Sequence, residues 1–170
     1  MPVDSFRVLR SWVRSDLARY DRAPLATLLH EPQARWLVRL RLTEYAINAR
    51  GGTLAMFMRW RLQSSGIRLG FTVPPNTCGP GLKLPHWGTL VMSPAARVGT
   101  GCTIHPGTSI GQHHGKAPAI GDDVYVGPGA KIYGGIVVGD GAVIGANAIV
   151  SRDVAEHTTV VGPRAGPLAE

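Results

Sequence analysis

Six histidines and two cysteines are the side chains of this 170-residue chain best suited to proton transfer, nucleophilic attack or metal ligation. An imidazole with an ordinary pKa of about 6.5 can accept a proton near neutral pH and give it back, so it serves as base and then acid in one reaction. His86 stands in the tetrapeptide PHWG, and His113 and His114 stand in GQHHGKAPA, two stretches rich in turn-forming residues. His30, His105 and His157 lie apart from these. Cys78 and Cys102 form no CxxC pair, which excludes a disulfide scaffold and a cysteine-rich zinc site and suits a reducing cytoplasm. Neither a P-loop nor a GxGxxG fingerprint is present, so a nucleotide-phosphate cradle of that kind is not expected.

The elements that must hold these residues fall into two regions. Hydrophobic residues make up 44% and charged residues 17% of the chain, which excludes a disordered one. No apolar run is long enough for a membrane-spanning helix, and MPVDSFRVLRSWVRSDL has no apolar core of a secretory leader. The net charge of +7 sits wholly in residues 1–70, which carry 12 arginines, no lysine and 5 acids; residues 71–170 balance to zero. Glycine is the mirror image, with 18 of its 22 occurrences after residue 70.

Residues 1–70 are predicted to be a helical region. Asp4 or Ser5 caps a first helix reaching Tyr20, with Val8, Leu9, Trp12, Val13 and Leu17 on one face. Pro24 closes that connection, Pro32 opens a second helix through Tyr45, and Gly51-Gly52 separates it from a third, Thr53 to Leu62. The arginines with Trp12, Trp36, Phe57 and Trp60 fit either a solvated face or attachment to an anionic membrane surface. Nucleic acid is not an expected partner, because no helix-turn-helix or zinc-finger signature accompanies the charge.

Residues 71–162 carry an internal repeat. Ile120, Val126, Ile132, Val138, Ile144 and Val150 are six apart, as are Met92, Val98, Ile104 and Ile110; Cys78 and Leu84 extend the series backwards. A spacing of six cannot keep one face of a 3.6-residue helix, but it is a multiple of the two-residue strand period. Short strands joined by tight corners, each giving one aliphatic side chain to a shared interior, satisfy it. Glycine follows several anchors and permits the corner. The register slips between Leu84 and Met92 and between Ile110 and Ile120, and the inserted residues are the two histidine-bearing stretches. Insertions in a stacked solenoid must leave the wall as loops, which often carry function.

With these repeats, and with GLKLPHWGTLVMSPAARVG and GDDVYVGPGAKIYGGIVVGDGAVIGANAIVSRDV, the chain resembles the hexapeptide-repeat acyltransferases, in their serine acetyltransferase-like branch. RSDLARYDR and IRLGFTVPPNTCGPGL look more like its polysaccharide-modifying members. The resemblance implies a left-handed parallel β-helix of about four coils, with the helical region capping the first coil and residues 163–170 as a tail. It implies acetyl-CoA as co-substrate, a homotrimer, and transfer to a hydroxyl with His86 as general base. Trp87, Asn76, His113 and His114 are then candidate acceptor contacts, with Asn76 also a candidate to orient His86. Gly111, Lys116, Pro128, Lys131 and Ala146 are candidate coenzyme contacts. Where the serine enzymes carry an acidic partner for the base, a glutamate and a second histidine, this chain has Phe71, Pro94 and Ala117. A sugar hydroxyl of a surface polysaccharide or its precursor is therefore the expected acceptor, with serine as the alternative. The ending VVGPRAG is one residue shorter than the family's pattern near the coenzyme. Zinc-dependent hydration on the same fold would need three histidines, and the spacing of His86, His105 and His113 does not match the HxxxxH pair of that branch. A non-catalytic scaffold is the third reading.

Overall fold

The computed structural model describes residues 2–162. Helix α1 (Phe6–Leu17) starts at Ser5, whose hydroxyl accepts the Val8 N–H at 3.4 Å and so satisfies a free donor of the first turn. Pro24 does not close the connection: it opens a short helix, α2 (Pro24–His30), where its missing N–H costs nothing. Helix α3 (Pro32–Tyr45) also begins at a proline and continues as one π turn (Ala46–Arg50) to Gly51, whose φ of 67° ends the right-handed path. Helix α4 (Gly52–Leu69) runs past the expected end at Leu62. The Ser65 hydroxyl bonds back to the Arg61 and Leu62 carbonyls instead of breaking the helix. Gly66 lets this turn lie against the next segment, since a Cβ there would stand 2.6 Å from the Phe71 carbonyl oxygen.

From Phe71 the chain winds as a parallel β-helix of about five turns, matching the left-handed solenoid of hexapeptide-repeat proteins. One wall stacks Phe71–Thr72, Leu90–Met92, Thr108–Gly111, Lys131–Tyr133 and Ile149–Val150 in that order. A second wall stacks Arg97–Val98, Ala119–Ile120 and Val137–Val138; Cys78 bridges to its start and Val154 to its end. The third stacks Thr103–Ile104, Tyr125–Val126, Val143–Ile144 and Thr159–Val160, with Lys83 bridged above Thr103. All twelve anchors point inward, and the most exposed, Val150, is 6% accessible. The extra turn beyond the four coils comes from Phe71 before the first anchor and from Val154 and Val160 after the last. The proposed tail at 163–170, and with it the shortened segment after Gly162, lies outside the described residues.

The helical region covers the first coil. Trp36, Leu37, Leu40 and Leu62 join one continuous core with Phe71, Leu82, Leu84 and Leu90. At its centre is Arg41, fully buried. Its Nε donates to Asp16 Oδ2 at 2.7 Å and its Nη1 to Glu44 Oε2 at 3.0 Å. The guanidinium also donates to the Cys78 and Gly79 carbonyls, at 2.8 and 2.6 Å. Asp16 in turn accepts the Gly81 and Leu82 N–H groups, and Glu44 accepts that of Asn76. Trp12 lies over the Arg41 guanidinium at 4.8 Å. Three charged side chains thus satisfy the open backbone edge of the first coil, groups that no preceding coil can pair.

Both cysteines occupy interior positions of the repeat. Burial is the largest influence on each thiol: it pushes Cys78 up to about 12 and Cys102 up to about 11. Attack requires the thiolate. The folded protein is therefore expected to be inert to Ellman's reagent at pH 8, and to release two equivalents of colour once denatured.

Candidate active site

His86 sits at the bend where the chain leaves the third wall after Lys83 and re-enters the first at Leu90. Its side chain is exposed, as is that of Trp87, which is 59% accessible. The backbone around it is held on both sides by the helical region. The Tyr20 hydroxyl donates to the Leu84 carbonyl at 3.1 Å, and Gln33 Nε2 donates to the Pro85 carbonyl at 3.1 Å. On the far side the Gly88 N–H donates to the Leu69 carbonyl and the Leu90 N–H to the Gly70 carbonyl, both at 2.9 Å. Gln33 Nε2 also donates to Glu31 at 2.7 Å, which fixes the amide, while Gln33 Oε1 is buried with no hydrogen-bond partner among the described residues.

Gly70 makes this clamp possible. It caps α4 in the left-handed region at φ 80°, and a Cβ there would stand 2.9 Å from the Gly88 carbonyl carbon. Gly70→Ala is expected to cost about 1–3 kcal/mol in strain, seen as a lowered Tm. It should also lower turnover more than an exposed helix substitution does, because the displaced atoms belong to the His86 bend.

One coil below His86 is a second imidazole, His105, which the sequence analysis set apart from the candidate site residues. The His105 ring centroid is 6.4 Å from that of His86 and 5.1 Å from that of Tyr125. Partial burial, with His86 and Lys83 beside it, holds His105 below the usual histidine range. Two cavities flank the bend. One of about 240 Å³ is lined by Tyr20, Asp21, Arg22, Glu31, Lys83, Pro85 and His86. The other, about 510 Å³, is lined by Arg19, Lys83, His105 and Tyr125 among others. Both signs of charge therefore face the space beside His86, supplied largely by the segment between α1 and α3. Tyr20, Glu31, Gln33 and Lys83 were not anticipated, although Tyr20 lies in RSDLARYDR and Lys83 in GLKLPHWGTLVMSPAARVG, segments that carry the family likeness.

Asn76 is not the group that orients His86. Its amide exchanges hydrogen bonds with Asn48 at 2.9 and 3.1 Å, and its N–H is held by Glu44, so it joins the helical region to the coil. Phe71, at the position of the missing acidic partner, is 6% exposed and packs edge-on to Trp36 with centroids 5.1 Å apart. Pro94 is exposed at the next bend of the coil.

His113 and His114 are brought together, with ring centroids 4.0 Å apart, but in the loop between the first and second walls, a different bend from that of His86. Paired hydrogen bonds between His113 and Lys116 close this loop, and His113 lies 6.2 Å from the Tyr133 ring. Gly111 ends the strand that feeds it. Pro128 and Ala146 follow the third wall in successive coils, at the bends below His86. The Pro128 carbonyl accepts the Asn147 N–H at 2.8 Å, so the ring is the surface it offers. Lys131 points outward from the first wall and its ammonium donates to the Gly107 carbonyl. Among the described residues no group of three or more His, Cys, Asp or Glu is arranged to hold a metal ion.

Residues 118–152 match the family model described as bacterial transferase hexapeptide (six repeats). A serine acetyltransferase of Synechococcus elongatus is 32% identical over 146 residues, covering 83% of this chain and 59% of that protein. A serine acetyltransferase of Bacillus pumilus is 38% identical over 93 residues, 52% of this chain and 43% of that protein. The chain thus spans about half the length of these relatives. The crystal structure of Neisseria gonorrhoeae serine acetyltransferase in complex with serine superposes with a TM-score of 0.76 at 30% identity, covering 94% of this chain and 68% of that one.

Proposed function

Because the chain belongs to the hexapeptide-repeat acyltransferases, we propose that it is an acetyl-CoA-dependent O-acetyltransferase in which His86 is the general base. The observation that carries this reading is the exposed His86 imidazole on a bend whose backbone is fixed from both sides. The acceptor hydroxyl attacks the thioester carbonyl while its proton passes to the imidazole. The tetrahedral intermediate then collapses, the C–S bond breaks, and the same proton goes to the departing thiolate. No protein nucleophile is required.

Serine is the acceptor that the comparisons support better than a sugar. The cavity beside His86 suits a zwitterion, since it offers the Asp21 carboxylate and the Lys83 ammonium beside the Arg22–Glu31 pair. A sugar hydroxyl remains the second reading, favoured by Phe71, Pro94 and Ala117 at the positions where the serine enzymes carry polar groups.

The reading includes a homotrimer with coenzyme A between neighbouring chains. Within one chain His86 and the His113–Lys116 loop occupy different bends, so a site holding both is built from two copies. Gly111, Lys116, Pro128, Lys131 and Ala146 are then the coenzyme contacts, and Trp87, His113 and His114 the acceptor contacts.

The test is thiol release from acetyl-CoA by the purified chain with serine, with sugars and with no acceptor, the product being identified by mass spectrometry. O-acetylserine is the expected product. Release with sugars alone moves the acceptor to the second reading. Failure to bind coenzyme A by calorimetry leaves the scaffold reading and overturns the enzyme.

A further inference from the structure

Helix α4 is apolar on two sides. Its inner face, Ala55, Leu62 and Gly66, is buried. Its outer face carries Met56, Phe57, Trp60 and Ile67, which are 68%, 49%, 63% and 74% exposed. At 100° per residue Met56, Trp60 and Ile67 fall within about 40° of one another, with Phe57 at the edge of the same stripe. Phe57 and Trp60 pack against each other with centroids 6.1 Å apart. Arg59 flanks the stripe on one side, and Arg61 and Arg68 on the other; all three are exposed, and α4 contains no acidic residue.

We infer that this face of α4 docks on an anionic lipid surface. A helix with aromatic and aliphatic side chains outward and arginines along both margins lies in the interface plane, with its stripe among the acyl chains and its guanidinium groups on the headgroup phosphates. Charge decides against a two-fold contact with a second copy as occupant. A two-fold contact through this stripe would bring Arg59, Arg61 and Arg68 towards their own copies with no carboxylate on the helix to meet them. The rest of residues 1–70 adds to the field: of its 5 acids, Asp16 and Glu44 are already spent on buried Arg41, and Glu31 pairs with Arg22.

Trp12 and Trp36 take no part. Trp36 is 1% exposed and Trp12 covers Arg41, so the membrane-facing set is narrower than the aromatic content of the sequence suggested. The docked helix would also carry the His86 bend to the surface, because α4 ends at the Leu69 carbonyl that holds Gly88. Lipid docking by α4 stands apart from acetyl transfer.

The test is co-sedimentation of the full chain with vesicles of phosphatidylcholine alone or mixed equally with phosphatidylglycerol. Binding to the mixed vesicles, weakening as salt rises, is expected. Combined Arg59→Glu, Arg61→Glu and Arg68→Glu should weaken it on the order of a hundredfold or more. Met56→Ser with Trp60→Ser should also weaken it, with thermal unfolding and thiol release on a soluble acceptor unchanged. Arg7→Glu with Arg10→Glu, on α1, should retain most of the binding. Equal binding to both vesicle types, binding to neither, or an equal loss from the α1 variant would overturn the inference. So would a fall in molar mass of the Met56→Ser, Trp60→Ser variant by light scattering, which would assign the stripe to a contact between chains.

Discussion

Thiol release from acetyl-CoA by a His86→Ala variant is expected to fall by about 10²–10⁴-fold in kcat, the usual worth of a positioned general base. The KM for acetyl-CoA should barely move, because coenzyme contacts are proposed to lie on the lower coils and on the His113–Lys116 loop. Stability should also be unchanged: the ring is exposed, and the bend is held by backbone groups of Leu84, Pro85, Gly88 and Leu90, none of which the substitution removes. A loss confined to kcat, with wild-type Tm and coenzyme affinity, separates a base from a structural loop residue. His105→Ala gives the contrast. That ring lies beside His86 without sitting on its bend, so its loss should lower the maximal rate far less than loss of His86 does. Full turnover by His86→Ala would remove His86 from the mechanism.

The solenoid was legible because its rule is local and repeated. Each anchor from Cys78 to Val150 is an aliphatic or small side chain at a fixed interval, and each is buried. Even the two slips in register were readable, since extra residues in a stacked coil have nowhere to go but outward. The role proposed for His86 came only through family likeness; its place in an inserted stretch sets it apart from His105 but does not by itself name a chemistry. What orients and walls the site was hidden for a different reason. Tyr20 lies 64 residues from the carbonyl it holds, and Gln33 lies 52 from its own. Such pairings depend on how α1 and α3 dock on the first coil, and no period in the sequence encodes that. Helix α4 runs past Leu62 through Ser64, Ser65 and Gly66, weak helix formers, and Gly66 serves close packing on Phe71. Arg41 and Glu44 share the stripe of Leu37 and Leu40 on α3, so charged side chains sat where the pattern demanded apolar ones.

That misplaced arginine carries the largest expected effect on stability. Arg41→Met keeps most of the volume and removes the charge, leaving Asp16 and Glu44 buried with no counter-ion. Removing one member of a buried ion pair typically costs about 3–5 kcal/mol. Here the guanidinium also satisfies two carbonyls of the first coil, so the cost should lie at the upper end. The pH dependence gives the cause away. Burial already raises both carboxyl groups above their ordinary values, and Arg41 is the largest influence pulling them back down. Without it they rise further. Above the ordinary carboxylate range the unfolded chain has released both protons while the folded variant still holds them, so unfolding gains as pH increases. Arg41→Met should therefore be closest to wild type in mild acid and lose stability steadily towards pH 8, measured by urea unfolding at a series of pH values. Replacing all three, as Asp16→Asn, Arg41→Met and Glu44→Gln, removes the titration and should flatten that dependence. The amides can still accept the Gly81, Leu82 and Asn76 N–H groups, and part of the lost stability should return. If the single variant instead grew more stable with pH, the charges of Asp16 and Glu44 would not be what Arg41 holds in place. The helical region would then be joined to the β-helix by apolar packing and by the neutral hydrogen bonds of Tyr20, Gln33 and Asn48.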